Sequence, residues 1–239
     1  MFTLHNGDCL EYMKAMQPAS IDCIVTDPPY GLGDKWTCGT WFTKNVYEND
    51  DVVWDILPSK EIMDCILSFN KPSVIWGGNY FTLPPSRCWL SWSKINSMPT
   101  MSDIELAWTN FDKPAKQYRS LRNGWERKHP TEKPIGLMKW VIENYTKIGD
   151  TVFDPFMGSG TTGVACEMLG RNFIGCEIDP KYFTIAEKRI RQASLQQHLF
   201  TPPNHRLHVD GGESADQLGL FNHQADPGLG ELSQPARRK

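Results

Sequence analysis

Short apolar runs recur along the chain, bounded by polar or turn-forming residues, and each reads as a buried strand: 21–26, 73–76, 89–92, 151–153 and 172–177. Between them, apolar positions recur at helical spacing over 9–16, 59–68, 135–145, 160–169 and 181–197. Gly170 follows the fourth of these as a C-cap, and Pro180 opens the last. Strands that alternate with helices predict an α/β fold with a mostly parallel sheet and helices on both faces. Two stretches break the alternation. Residues 31–55 mix Gly, Asp and Asn with Trp36, Trp41, Phe42 and Tyr47, and read as a long mobile loop of the functional kind. Residues 94–128 are polar and basic with Trp108, Phe111, Tyr118 and Trp125 interleaved, and read as an insertion. From 201 onward Pro, Gly, His and Gln are scattered without periodicity, which predicts a disordered tail behind a single domain over 1–200.

Composition narrows the class. A chain of 239 residues with 40% hydrophobic content can bury one sizeable core. Its formal charge of −3 argues against a uniformly basic nucleic-acid binder, but the charge is segregated. Lys113, Lys116, Arg119, Arg122, Arg127, Lys128 and Lys133 face only Glu126 and Glu132 in that stretch. The seven cysteines are scattered and never spaced as C-x-x-C, against a zinc site or a disulfide framework. His205, His208 and His223 are too dispersed to suggest a metal. The first residues carry no basic start before an apolar stretch, and no run reaches membrane-spanning length, so a soluble cytoplasmic protein is expected.

Chemistry enters at Asp27-Pro28-Pro29-Tyr30, directly after the first strand candidate. Two prolines remove two backbone donors and fix φ, which makes a rigid turn at the edge where open α/β sheets bind ligands. The turn offers a carboxylate, a free carbonyl and an aromatic ring, a set that suits a planar group carrying an NH2. The same residues also serve as a plain strand-ending turn. A second motif, Asp154-Pro155-Phe156-Met157-Gly158-Ser159-Gly160, follows the strand at 151–153. Gly158 and Gly160 let backbone approach a ligand, and Gly163 completes G-x-G-x-x-G. Glu177, at the end of the next strand, has the position of an acid that binds ribose hydroxyls. A dinucleotide fits poorly, because its pyrophosphate would meet the Asp154 carboxylate near the helix N-terminus instead of free amides. A cationic cofactor without phosphate, such as S-adenosylmethionine, suits those surroundings better. No Gly-Lys-Ser/Thr is present, which excludes a P-loop.

Together the two motifs resemble the amino-methylating DNA methyltransferases, the N6-adenine and N4-cytosine methylases. The catalytic-type motif comes first, and His129-Pro130-Thr131-Glu132-Lys133-Pro134 stands shortly before the cofactor-type motif, an order similar to the permuted β group. The resemblance covers roughly residues 4–191. It implies a Rossmann-like S-adenosylmethionine-dependent fold and transfer of a methyl group to an amino group of double-stranded DNA, by a member of a restriction–modification pair or an orphan methylase. Asp in the first motif position implies adenine N6, with cytosine N4 as the same-chemistry alternative. A DNA-binding protein that keeps the fold without turnover, and an RNA or protein methyltransferase, are the readings of other classes.

The resemblance also implies roles. Asp27 and the Pro28 carbonyl would accept hydrogen bonds from the target amino group, with Pro29 shaping the turn and Tyr30 stacking on a base flipped from the duplex. Asp8 and Cys9 would flank the cofactor adenine, though Asp8 equally reads as the N-cap of the first helix. Glu177 would hold the ribose and 154–160 the methionine part, while His129, Thr131 and Lys133 would reach its carboxylate end. Lys133 reads equally as a solvated charge or a phosphate contact. Lys94, Lys113, Lys116, Arg119, Arg122, Arg127 and Lys128 are the candidate DNA contacts, with a solvated charged loop as the alternative. Family members often form homodimers, and nothing in this chain requires one.

Overall fold

The computed structural model describes residues 1–32, 55–95, 102–121 and 132–200. Eight strands form one sheet: β1 (Phe2–Asn6), β2 (Cys23–Thr26), β3 (Ser73–Trp76), β4 (Trp89–Lys94), β5 (Ile104–Thr109), β6 (Lys116–Ser120), β7 (Thr151–Asp154) and β8 (Asn172–Glu177). Their order is β1-β8-β7-β2-β3-β5-β4-β6. All neighbours run parallel except β5, which is antiparallel to both β3 and β4. Five helices accompany it among the described residues: α1 (Cys9–Ala15), α2 (Lys60–Ser68), α3 (Ile135–Tyr145), α4 (Thr161–Met168) and α5 (Pro180–Phe200).

The strand pattern explains why both faces are covered. Val25 on β2, Val74 and Trp76 on β3, Val152 on β7 and Phe173 on β8 join a core with Leu137, Val141, Ala165 and Ile190 of α3, α4 and α5. The alternate residues Ile24, Ile75, Phe153 and Cys176 join the opposite core with Met13 of α1 and Ile66 of α2. Period-two alternation thus sends apolar side chains to two layers of helix, so the inner strands are apolar throughout. On α5 the buried Ala186, Ile190 and Ala193 lie at i, i+4 and i+7, one stripe against the sheet.

The expected strands and helices are all present, with ends displaced by a few residues. Three strands were not expected. β1 and β6 are the two edges of the sheet and carry polar residues, as edges commonly do. β5 and β6 lie inside the stretch 94–128 that reads as an insertion, and its described parts belong to the central sheet. The expected loop at 31–55 and the expected tail fall outside the described residues, save Gly31, Leu32 and Asp55.

Candidate active site

β2 and β7 are adjacent and parallel, so their C-terminal Asp-Pro turns meet at one edge of the sheet. The turn after β2 is fastened by a single acid. Asp55 accepts from the amides of Tyr30 (2.9 Å) and Gly31 (3.0 Å) through Oδ1 and from Leu32 (2.7 Å) through Oδ2. Three amides converging on one carboxylate hold the chain beyond the prolines in place, where its donors would otherwise lack partners.

Both oxygens of Asp27 are engaged. The Tyr30 hydroxyl donates to Oδ1 at 2.6 Å, and Lys133 Nζ donates to Oδ2 at 2.5 Å. Lys133 also reaches Glu105 Oε2 at 3.0 Å, and Lys94 reaches Glu105 Oε1 at 2.7 Å. Burial raises the pKa of Asp27; Lys133 opposes that rise and Glu105 adds to it. Burial also works against charge on Glu105, but Lys133 and Lys94 outweigh it and hold its pKa at about 2. For Lys133 burial favours the neutral amine, and Asp27 and Glu105 reverse that, so its pKa is raised. Burial and the neighbouring carboxylates push the Tyr30 phenol well above its ordinary range. The Tyr30 ring stacks on Tyr80 with centroids 4.9 Å apart and lies against Gly77, where any Cβ would strike it. Gly77 also has φ 67°, so a residue without a side chain is required twice over.

The second turn is built from neutral donors. Asp154 Oδ1 accepts from Thr26 Oγ1 (2.7 Å) and the Phe156 amide (3.1 Å), and Oδ2 accepts from Thr162 Oγ1 (2.7 Å). With no cation beside it, burial pushes its pKa up to about 7. The Thr26 bond joins the two turns, because Thr26 immediately precedes Asp27. Glu177, at the end of β8, accepts from the amides of Gly158 (2.9 Å) and Asp179 (2.9 Å), and burial raises its pKa. Arg189 of α5 closes the loop from behind, donating to the Ser159 carbonyl (2.6 Å) and to Glu132 Oε1 (2.6 Å). A cleft between the turns is walled by Asp27, Lys133, Phe156, Met157, Gly158 and Ser159.

The expected residues divide accordingly. Asp27, Lys133, Asp154, Phe156, Met157, Gly158 and Ser159 come together, but the Asp154 carboxylate is spent on the protein itself. Pro155 and Gly160 shape the turn, Gly160 as the left-handed N-cap of α4 against Ala186. Asp8 caps α1 through Leu10 N (2.6 Å) and Glu11 N (3.3 Å), at the strand end next to Glu177. The Cys9 side chain is buried in the core beneath α1. Lys133 is buried and doubly ion-paired, which corrects the readings of a solvated charge or a phosphate contact. Lys94 has a side chain 9% exposed and is paired with Glu105. Lys113 precedes β6 with its ammonium over the Phe111 and Tyr145 rings, and Lys116 opens β6; both are exposed, at the amino end of that strand and away from the two turns. Arg119 is exposed and lies near the site edge, opposite Ser93. Arg122, Arg127, Lys128, His129 and Thr131 lie outside the described residues.

Glu105, Asp55, Tyr80 and Arg189 belong to the site and were not anticipated. Glu105 alone left a signal: a single acid inside the otherwise apolar run Ile104-Glu105-Leu106-Ala107-Trp108. A wider cleft of about 410 Å³, among Asn70, Lys71, Arg87 and Trp108, opens at the amino end of β3. It lies across the sheet from both turns and contains neither of them. Among the described residues no group of His, Cys, Asp and Glu could hold a metal, and no helix is long and apolar enough to cross a membrane.

A mostly parallel sheet with two Asp-Pro turns meeting at its carboxyl edge defines a Rossmann-like methyltransferase fold. The chain belongs to the N6/N4 DNA methylase family, whose model matches residues 60–188. The type II methyltransferase M.HinfI of Haemophilus influenzae is 30% identical over 246 residues, spanning 80% of this chain and 68% of that protein. The type II methyltransferase M2.MboI of Moraxella bovis is 28% identical over 80% of this chain and 88% of its own length. Among solved structures, the M1.HpyAVI–SAM complex matches with a TM-score of 0.55 and 28% identity, over 80% of this chain and 99% of that one. The PvuII DNA methyltransferase (cytosine-N4-specific), at 19% identity and a TM-score of 0.52, shares the fold.

Proposed function

We propose that the protein transfers a methyl group from S-adenosylmethionine to N6 of an adenine flipped out of double-stranded DNA. The observation that carries this reading is the Thr26–Asp154 bond of 2.7 Å, which holds the Asp27 turn beside the Gly158 turn so that two ligands meet between them. The cofactor fits this donor set. The loop supplies Gly158 with open space where a side chain would stand, Phe156 and Met157 line the flanking wall, and Glu177 lies within a hydrogen bond of Gly158. The nearby cations Lys133 and Arg189 are each committed to carboxylates, so the cleft suits a positive ligand without phosphate.

When bound, the cofactor supplies an electrophilic methyl on a cationic sulfur. Glu177 would exchange its backbone partners for ribose hydroxyls, and Phe156 to Ser159 would hold the methionine portion. Asp27 would take an N–H of the target amino group in place of the Tyr30 hydroxyl that now donates to it, and the Pro28 carbonyl would take the other. These bonds draw the nitrogen lone pair out of conjugation with the ring and fix its direction, so catalysis is mainly orientation and electrostatics. Lys133 opposes the burial that favours the protonated form of Asp27. Tyr30, released from Asp27, would offer its ring to the base. Arg119, at the site edge, is the favoured phosphate contact.

The test is methyl transfer from labelled cofactor to unmethylated duplex DNA, followed by digestion and identification of the modified nucleoside. N6-methyl-2′-deoxyadenosine is the expected product; N4-methyl-2′-deoxycytidine would move the assignment to the other branch of the family. Asp27→Ala with undiminished turnover would remove the mechanism.

A further inference from the structure

A row of alternating charge leads into the Asp27 carboxylate: Lys94 on β4, Glu105 on β5, Lys133 ahead of α3, then Asp27 after β2. The links are 2.7, 3.0 and 2.5 Å, and the side chains are 9, 22, 6 and 19% exposed. The geometry points to Glu105 as a positioning residue for methyl transfer: it divides Lys133 between two carboxylates and so sets how much negative charge Asp27 keeps for the target amino group. The inference rests on the reading that Asp27 receives that amino group.

A buried charge row is a costly way to hold a fold, since apolar side chains of equal volume commonly do as well or better. The arrangement does supply a graded acceptor. Without Lys133, Asp27 would face Glu105, and Asp154 across the β2–β7 pair, with no compensating cation, and would take up a proton. With Lys133 but without Glu105, all the ammonium's charge would fall on Asp27, leaving an acceptor too well satisfied to polarise an incoming N–H. Among the described residues the remaining groups around Asp27 do not supply this balance. The Tyr30 hydroxyl is neutral, Tyr80 lies behind Tyr30, and Glu132 is turned to Arg189. Lys94 completes the row by keeping Glu105 ionised, in line with the low pKa of that acid.

Two substitutions therefore move Asp27 in opposite directions. In protein labelled with 13C at aspartate carboxyls, the Asp27 resonance, assigned through Asp27→Asn, is titrated alongside kcat against pH on duplex DNA. Lys133→Met is expected to raise the Asp27 midpoint and the acid limb of kcat by about 1–3 pH units, with activity recovering toward alkaline pH. Glu105→Gln is expected to lower both by about 1 unit and to reduce plateau kcat about tenfold, with the cofactor KM unchanged. The double variant returns the midpoint toward wild type, and carries the test with Glu105→Gln should Lys133→Met fail to fold. Shifts in the same direction, or an Asp27 midpoint unmoved by Glu105→Gln, would overturn the inference. Opposite midpoint shifts in a protein that methylates no DNA would leave the charge row standing and remove the functional reading beneath it.

Discussion

Asp27 and Asp154 occupy equivalent places, each followed by proline and each at or just past the end of one of two neighbouring parallel strands. Their surroundings differ completely. Asp27 meets an ammonium and a phenol, while Asp154 meets two threonine hydroxyls and an amide. A cation opposes the effect of burial at the first, and only neutral hydrogen bonds oppose it at the second, whose pKa rises to about 7. One local motif thus yields an ion-paired carboxylate at the cleft and a clasp that joins two strands, and the choice is made by partners distant in sequence.

The sharpest way to break this contrast is to remove charge from each acid in turn. Asp27→Asn should lower methyl transfer roughly 100- to 1000-fold, because an amide cannot replace the carboxylate as acceptor, whereas Asp154→Asn should retain most of the activity. Comparable losses in single-turnover assays would show the two acids to be equivalent after all. Deleting the clasp instead of neutralising it is next in size. Asp154→Ala leaves the Thr26 and Thr162 hydroxyls and the Phe156 amide without their acceptor, and should cost about 2–4 kcal/mol in chemical denaturation.

The pH dependence of stability sharpens the same point. The folded pKa of Asp154, about 7, lies above its ordinary 3.8, so the folded state binds this proton more tightly than the unfolded state. Its contribution is fully present below about pH 4 and is lost as the pH rises through about 7. Asp154→Asn should therefore flatten the fall in Tm across that window, measured by calorimetry against wild type. The smallest effect concerns DNA. Arg119→Ala should raise the KM for duplex DNA a few-fold and reduce the slope of log affinity against log salt by about 1, while Lys116→Ala at the far edge should change neither.

Much of this was legible in the sequence, for definite reasons. β2, β3, β7 and β8 are buried on both faces, so each is a nearly uninterrupted apolar run, and the Asp-Pro turns follow directly. β6, Lys-Gln-Tyr-Arg-Ser, is an exposed edge with no apolar face to reveal it, and its basic residues invited the reading of a DNA-contacting insertion. The partners that differentiate the acids were hidden for another reason. Lys133 is 106 residues from Asp27 and Thr26 is 128 from Asp154, so only the parallel sheet brings them together. Arg189 acts from the far side of α5 through a single guanidinium, which leaves no pattern in a helix whose other charges face solvent.

The Asp55 carboxylate that accepts the Leu32 amide at 2.7 Å also determines what the protein can tolerate. Leu32 and Asp55, 23 residues apart in sequence, are clipped together, so the Tyr30 turn is held whatever length of chain joins them. Doubling the length of such a closed excursion costs only about 0.6 kcal/mol of loop entropy. This makes the segment a natural place for relatives to differ and for a designer to graft, with Tyr30 held in register as long as Asp55 is kept.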